Sequence, residues 1–397
     1  MASKKTITQD NLAALGVDRL AAILVELADD NADVKRHLRL ELAAQMGGDT
    51  IAAEIGKRIT ALRSARSFLD WQKQREFVKD LDLQRVMIVD RVADTRADLA
   101  LDLMWRFMDL VEPVMNRVDD SNGAVGDVFR SACEDLGAVA LKAKPDAVAL
   151  ADRVLAAVMA NDYGVFDDLV TTMLPALGDM GVARLKSRLT QALGDRSRKA
   201  AGGDQRIPRG ALQEIADGQA DVDGYIALVP KEVRSRPDVG AEIGRRLLAA
   251  ERTTEALAAL EHAKPKQRAR RTTDHDTIEV DELDSAGYGD GGSWENVYIE
   301  ALAATGQEDK AQTLRWAAFE DRLSAPHLRA YLKKLPDFDD VEAEDRAMAH
   351  ALGFRFFEVA LAFFKEWPDQ NRAAQLVLAR ASEINGNAYY LLDPARG

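Results

Sequence analysis

Apolar residues recur along this chain at intervals of three and four. Leu20, Ile23, Leu24 and Leu27 stand at i, i+3, i+4 and i+7, as do Phe356, Val359, Ala360 and Phe363, and again Ala374, Val377, Leu378 and Ala381. Leu99, Leu103, Phe107 and Leu110 make a further stripe. Residues so spaced share one side of a helix with 3.6 residues per turn, and that side is expected to lie against a neighbour. The pattern runs from Asn11 to about Ile384 with almost no strand-like alternation. The expected fold is therefore all-α, with antiparallel helical hairpins stacked as in tetratricopeptide or HEAT arrays into an α-solenoid of two lobes.

The punctuation between stripes agrees. Asn31, Asp49 and Asp70 are expected N-caps, because a short oxygen-bearing side chain accepts the free N–H groups of a first turn. Pro145 suits a first turn, where its missing N–H costs nothing, and Gly47-Gly48 and Gly306 suit helix exits. The run Glu255-Ala-Leu-Ala-Ala259 returns as Glu300-Ala-Leu-Ala-Ala304. Two segments break the helical pattern: 197–210, read as an exposed linker, and 263–293, read as a long loop. The expected organisation is an N-terminal helical lobe over 1–196, the linker 197–210, and a tetratricopeptide-like lobe over 211–397 carrying that loop.

Composition narrows the function classes. Of 397 residues, 47% are hydrophobic but only 6% aromatic, so Leu, Ala, Val and Ile must build the core. The net charge of −13 disfavours non-specific binding to nucleic acid or an anionic membrane. Cys133 is the single cysteine, which excludes an intrachain disulfide and a cysteine-built zinc site; in its helical context it reads as a small buried apolar residue. Nothing resembles a secretory signal or a membrane span, and a cytoplasmic location is expected.

Three stretches carry a resemblance. They are Ser67 to Glu76; Leu101 to Phe107 continuing through Asp119-Asp-Ser-Asn-Gly123 to Arg130; and Leu314 to Glu320 followed by Leu323 to Leu332 and Leu335-Pro-Asp-Phe338. Together they resemble an alphaproteobacterial family built on a domain of unknown function. The second half is similar to the helical region downstream of SWIM zinc fingers. A SWIM finger needs Cys-x-Cys followed by Cys-x-His, which this chain lacks, so the resemblance implies no zinc. Relatives of this kind continue with further helices past Tyr389-Tyr-Leu-Leu-Asp-Pro394, and a truncation at Gly397 is an expectation of that likeness.

Candidate chemistry is sparse. No histidine has another at i+4, and no glycine-rich phosphate loop, dinucleotide fingerprint or Gly-x-Ser-x-Gly elbow occurs. Asp274-His275-Asp276 is a dense His/carboxylate cluster, yet it stands in a polar loop and a metal-dependent hydrolase needs further ligands. Asp119-Asp-Ser-Asn-Gly123 reads as a helix-to-helix turn. The six acids between Asp337 and Asp345 read mainly as helix-start carboxylates. The basic run 264–271 lacks interleaved aromatics, so a nucleic-acid accessory role is a minor alternative, as is the hydrolase. The expected function is a non-enzymatic scaffold or adaptor that holds a protein partner in a concave groove, with no cofactor and no metal. Trp71, Arg75, Asp119, Asp120 and Arg130 are the candidate binding residues, being polar or aromatic and gathered at two helix-end segments.

Overall fold

A computed structural model describes residues 6–195, 205–265 and 294–383, with the side chain of Trp71 outside that set. Among the described residues the protein is all-α, as the apolar spacing predicts. The lone extended contact is a single bridge between Leu69 and Val118. The chain divides into two compact units, Met1–Leu228 and Val229–Gly397. Residues 206–210 of the expected linker open a helix of the first unit. From residue 266 onward the expected loop lies outside the described residues, and with it Asp274, His275, Asp276 and most of the basic run.

In the first unit the helices are α1 (Gln9–Ala13), α2 (Val17–Asp30), α3 (Ala32–Gln45), α4 (Gly48–Ser64), α5 (Trp71–Met87), α6 (Ala97–Met108), α7 (Val111–Met115), α8 (Ala124–Ala143), α9 (Ala147–Met159), α10 (Leu169–Gly194), α11 (Arg206–Gly218) and α12 (Val222–Leu228). α5 ends in a widened turn over Ile88–Val92, closed by a bond from Ala93 N to Ile88 O. α2, α3 and α4 pack in succession, α6 packs on α4 and α8, α5 packs on α3 and α8, and α10 lies against α8, α9 and α11. The core is one continuous cluster that includes Ile55, Leu81, Met104, Phe107, Phe129 and Leu136. α8 and α10 meet at Gly137. A Cβ there would stand 2.4 Å from the Thr172 carbonyl oxygen, so this crossing admits hydrogen only. α10 kinks at Gly178, which adopts φ 54° three residues after Pro175.

In the second unit the helices are α13 (Pro237–Ala249), α14 (Thr253–His262), α15 (Trp294–Ala304), α16 (Glu308–Arg322), α17 (Ala325–Leu332), α18 (Asp339–Leu352), α19 (Phe357–Glu366) and α20 (Gln370–Ala379). The repeated Glu-Ala-Leu-Ala-Ala segments fall in α14 and α15, and each buries its first alanine, Ala256 and Ala301, completely. An aromatic cluster centres on Phe319, whose ring lies 5.5 Å from Trp316 and 5.6 Å from Phe363. The acids after Asp337 take helix-start positions: Asp339, Asp340 and Glu342 stand in the first turn of α18, while Glu344 accepts the Trp367 indole N–H.

Several local expectations need correction. Leu103, Phe107 and Leu110 are buried, but Leu24 and Leu27 of α2 are 41% and 50% exposed and Leu378 is 82% exposed. Spacing identifies an apolar face without supplying a neighbour to cover it: α2 rests on α1 and α3 and buries no residue fully. Asn31 and Asp70 are N-caps as expected. Asp49 is not. It lies inside the first turn of α4, whose cap is Gly47, and pairs with Arg96. Pro145 precedes the α9 cap Asp146 because the aspartate carboxylate accepts Ala149 N–H and so takes the cap position.

Candidate functional site

Two of the segments that carry the candidate residues, the start of α5 and the turn before α8, meet at one place. Asp70 caps α5, which starts with Trp71 and carries Gln74 and Arg75 on its first turns. The Gln74 amide donates to the Asp119 carbonyl (3.0 Å) and to Asn122 Oδ1 (3.4 Å). The start of α5 is thereby tied to the 119–123 turn. In that turn the two Asp120 carboxylate oxygens accept Val125 and Gly126 N–H, each at 2.8 Å, so Asp120 closes the first turn of α8 from outside the helix. Asp119 accepts Ser121 N–H, and Arg130 pairs with Asp127 on its own helix. A Cβ on Gly126 would touch both Arg130 and Asp120. This turn is a tightly bonded corner, with Asp119, Asp120 and Arg130 each engaged in local contacts. Arg75 is exposed.

Behind the corner runs a polar seam that periodicity does not advertise. Gln74, Phe77, Leu81, Gln84 and Ile88 follow one another at steps of three and four, so they share the inward face of α5, and two of the five are amides. Asp80 lies beside them with its side chain 3% exposed. Arg36 of α3 donates to Asp80 Oδ1 at 2.8 Å, and Arg58 of α4 donates to Oδ2 through Nε at 2.9 Å and through Nη2. One buried carboxylate thus joins three helices. Arg117, just before the turn, lies over the Phe77 ring at 5.0 Å and is 7% exposed. The clue in the sequence was Gln74 and Gln84 standing within an apolar stripe.

A cavity of about 480 Å³, within the range of small-ligand pockets, opens elsewhere in the first unit. Its walls come from the end of α4 (Arg63), the α6–α7 corner (Asp109, Glu112, Asn116), α9 (Arg153) and the 160–166 loop (Asp162, Tyr163). An adjoining recess adds Arg66. The walls are braced. Arg153 pairs with Asp109 and lies over the Trp105 ring at 4.8 Å. Asn161 accepts Phe166 N–H and donates to Asp167, and Tyr163 donates from its hydroxyl to Asn116 Oδ1 at 3.1 Å. By contrast, Arg63, Arg66, Glu112 and Asp162 line the groove with no ion-pair partner among the described residues. None of the four stood out in the sequence, because they come from segments separated by up to about a hundred positions that only packing brings together.

A model of a family of unknown function (DUF6880) matches residues 2–396. The chain belongs to that family. No curated protein matches it, and no solved structure matches it.

The structure holds no group of three or more His, Cys, Asp or Glu side chains placed for a metal ion among the described residues. Nor is any described helix long and apolar enough to cross a membrane. Cys133 is 2% exposed, and burial pushes its thiol up to about 12, so it stays protonated and packs as an apolar residue. Glu214 of α11 is different. It reaches the start of α10, accepting from Thr171, and burial followed by the nearby Asp168 and Asp167 raises it from 4.5 to about 7. A carboxyl whose folded value is raised holds its proton in the folded state where the unfolded chain has lost it. Stability of the first unit should therefore fall as pH rises from 4.5 to 7 and level off above. With solvent screening at this half-buried site the contribution is on the order of 1 kcal/mol. Glu214→Gln should be the more stable protein at pH 8, and the two should converge near pH 5. Urea melts at both pH values measure this, and parallel pH profiles for the two proteins would refute the assignment.

Proposed function

We propose that this protein is a non-enzymatic helical-repeat scaffold, and that the groove between α4, α7 and α9 holds a segment of a partner protein. The observation that carries the reading is the charge pattern on a braced wall. Arg63 and Arg66 line it without acidic ion-pair partners, Glu112 and Asp162 line it without basic ones, and Tyr163 is held by Asn116. Arginine and tyrosine dominate binding energy at protein interfaces because they bring contact area and directional donors with little entropy to lose. Opposed charges fix the direction in which a segment lies. The occupant is a peptide segment carrying a carboxylate toward Arg63 and Arg66 and a basic side chain toward Glu112 and Asp162.

The stacked, tetratricopeptide-like character of both lobes, a cytoplasmic setting and a bacterial origin complete the proposal. A likeness of the second half to the helical region downstream of SWIM zinc fingers is part of the same proposal. The test is a panel of short peptides with an acidic and a basic residue at varied spacing, each paired with its charge-reversed counterpart, titrated by fluorescence anisotropy. One orientation should bind. Arg63→Glu combined with Arg66→Glu should weaken it by at least about tenfold while leaving the melting temperature in place, because both side chains are exposed and unpaired. Equal binding of both orientations, or by the double variant, would end the proposal.

A further inference from the structure

Arg117 is the anomaly of the first unit. It is 7% exposed, and its Nε is fully buried with no hydrogen-bond partner. None of its N–H groups meets an acceptor among the described residues, and no acid pairs with it. The backbone around it is satisfied: its N–H donates to the Val114 carbonyl and its own carbonyl accepts Leu69 N–H. The deficit therefore belongs to the guanidinium alone. Phe77 covers one side of that group but accepts little from N–H bonds lying in the guanidinium plane.

A buried lysine could escape such a position by losing its proton. Arginine cannot, so the charge remains even though burial and then the neighbouring Arg58 both disfavour it. The local ledger makes the imbalance plain. Asp80 pairs with Arg36 and Arg58, Asp33 shares Arg36 at the rim, and no acid among the described residues pairs with Arg117. One positive charge is left over. Asp80 engages Nε and Nη2 of Arg58, which leaves Nη1 without an acceptor among the described residues. Buried polar groups in native proteins are paired almost without exception, and an unpaired buried cation calls for an anion.

We propose that Arg117, with Arg58 beside it, seats a phosphate group, either free or at the end of a small phosphomonoester. A tetrahedral oxyanion presents several acceptors at once, matching the fork of Arg117 and the spare donor of Arg58. This site is separate from the peptide groove, although Arg117 directly follows the groove residue Asn116. The two proposals fail independently, since one is read with peptides and the other with inorganic phosphate.

The experiment is thermal denaturation and 31P NMR of the full chain at fixed ionic strength, comparing chloride, acetate, inorganic phosphate and glycerol phosphate. Phosphate should raise the melting temperature in a manner that keeps growing with the logarithm of concentration, and its 31P line should broaden and recover on dilution of the protein. Glycerol phosphate matching or exceeding phosphate assigns the seat to a phosphomonoester, whereas phosphate acting alone assigns it to the free ion. Arg117→Met should weaken the apparent affinity by at least about tenfold. If Arg117→Met does not fold, Arg58→Lys, which keeps the charge and loses the fork, should weaken it in the same direction. Absence of line broadening with the natural chain would overturn the proposal. So would acetate or chloride matching phosphate, or unchanged affinity in the variants.

Discussion

Asp80→Ala is expected to remove about 3 kcal/mol of stability from the Met1–Leu228 unit, read as a shift in urea midpoint at unchanged slope. The carboxylate is nearly sealed, at 3% side-chain exposure, whereas Arg36 and Arg58 retain 28% and 31%. Breaking a buried pair by removing one partner typically costs about 3–5 kcal/mol, since the other charge is stranded. Here the two arginines are close enough to solvent to recover part of their hydration, which places the effect at the lower end. The variant also leaves the Arg58 guanidinium near Arg117 without its carboxylate. A loss below about 1 kcal/mol would mean the pairs contribute as surface salt bridges do, and that Asp80 does not join α3, α4 and α5 as argued. A double-mutant cycle with Arg58→Ala separates the pair from the other losses, because a positive coupling belongs to the contact alone.

Gly137→Val should be the other severe substitution. The α8–α10 crossing places the Thr172 carbonyl oxygen 2.4 Å and the Thr172 Cγ2 2.5 Å from where a Cβ would stand. A backbone carbonyl cannot turn aside as a side-chain end can, so the helices must separate. Overpacking of this kind costs about 1–3 kcal/mol, and a β-branched residue belongs at the upper end or beyond. Gly137→Ala should cost less, about 1–2 kcal/mol, because alanine recovers about 1 kcal/mol of helix propensity. Gly210→Ala is the control. Gly210 lies within α11 with nothing within 4 Å of the added carbon, so it should be neutral or stabilising. Thermal melts of the three variants test the argument together. If Gly137→Ala melted no lower than Gly210→Ala, the close approach would be discredited.

Much of the helical layout can be read without coordinates. Leu103, Phe107 and Leu110 announce the buried side of α6, and Asn31 and Asp70 announce two helix starts, since both signals are local and depend on spacing within a turn or two. The failures share a cause. Leu24, Leu27 and Leu378 carry the same periodic signal as Phe107 yet remain exposed, because whether another helix arrives is a long-range matter. Asp49 and Pro145 stand one or two positions from where they were expected, a shift that local patterns do not resolve.

The candidate sites follow the same division. Trp71, Arg75, Asp119, Asp120 and Arg130 stand at helix-end segments, and folding joins the start of α5 to the 119–123 turn through Gln74. Asp120, however, is engaged in capping α8. The groove residues Arg63, Glu112, Arg153 and Tyr163 form no motif in the chain, since no spacing rule relates positions on four separate elements. The amides Gln74 and Gln84 stand on an otherwise apolar face of α5, but nothing in the order of residues announces the charge they accompany.

By itself the order of residues determined that this protein is all-α, where many of its helices start and stop, and that one cysteine serves packing rather than chemistry. These depend on interactions spanning a few positions, which repeat wherever the pattern repeats. Only the tertiary structure decided which apolar faces are covered, which arginines are neutralised and which are left over, and where a braced cavity opens. Burial and charge pairing depend on distances between segments far apart in the chain, and packing alone sets those distances.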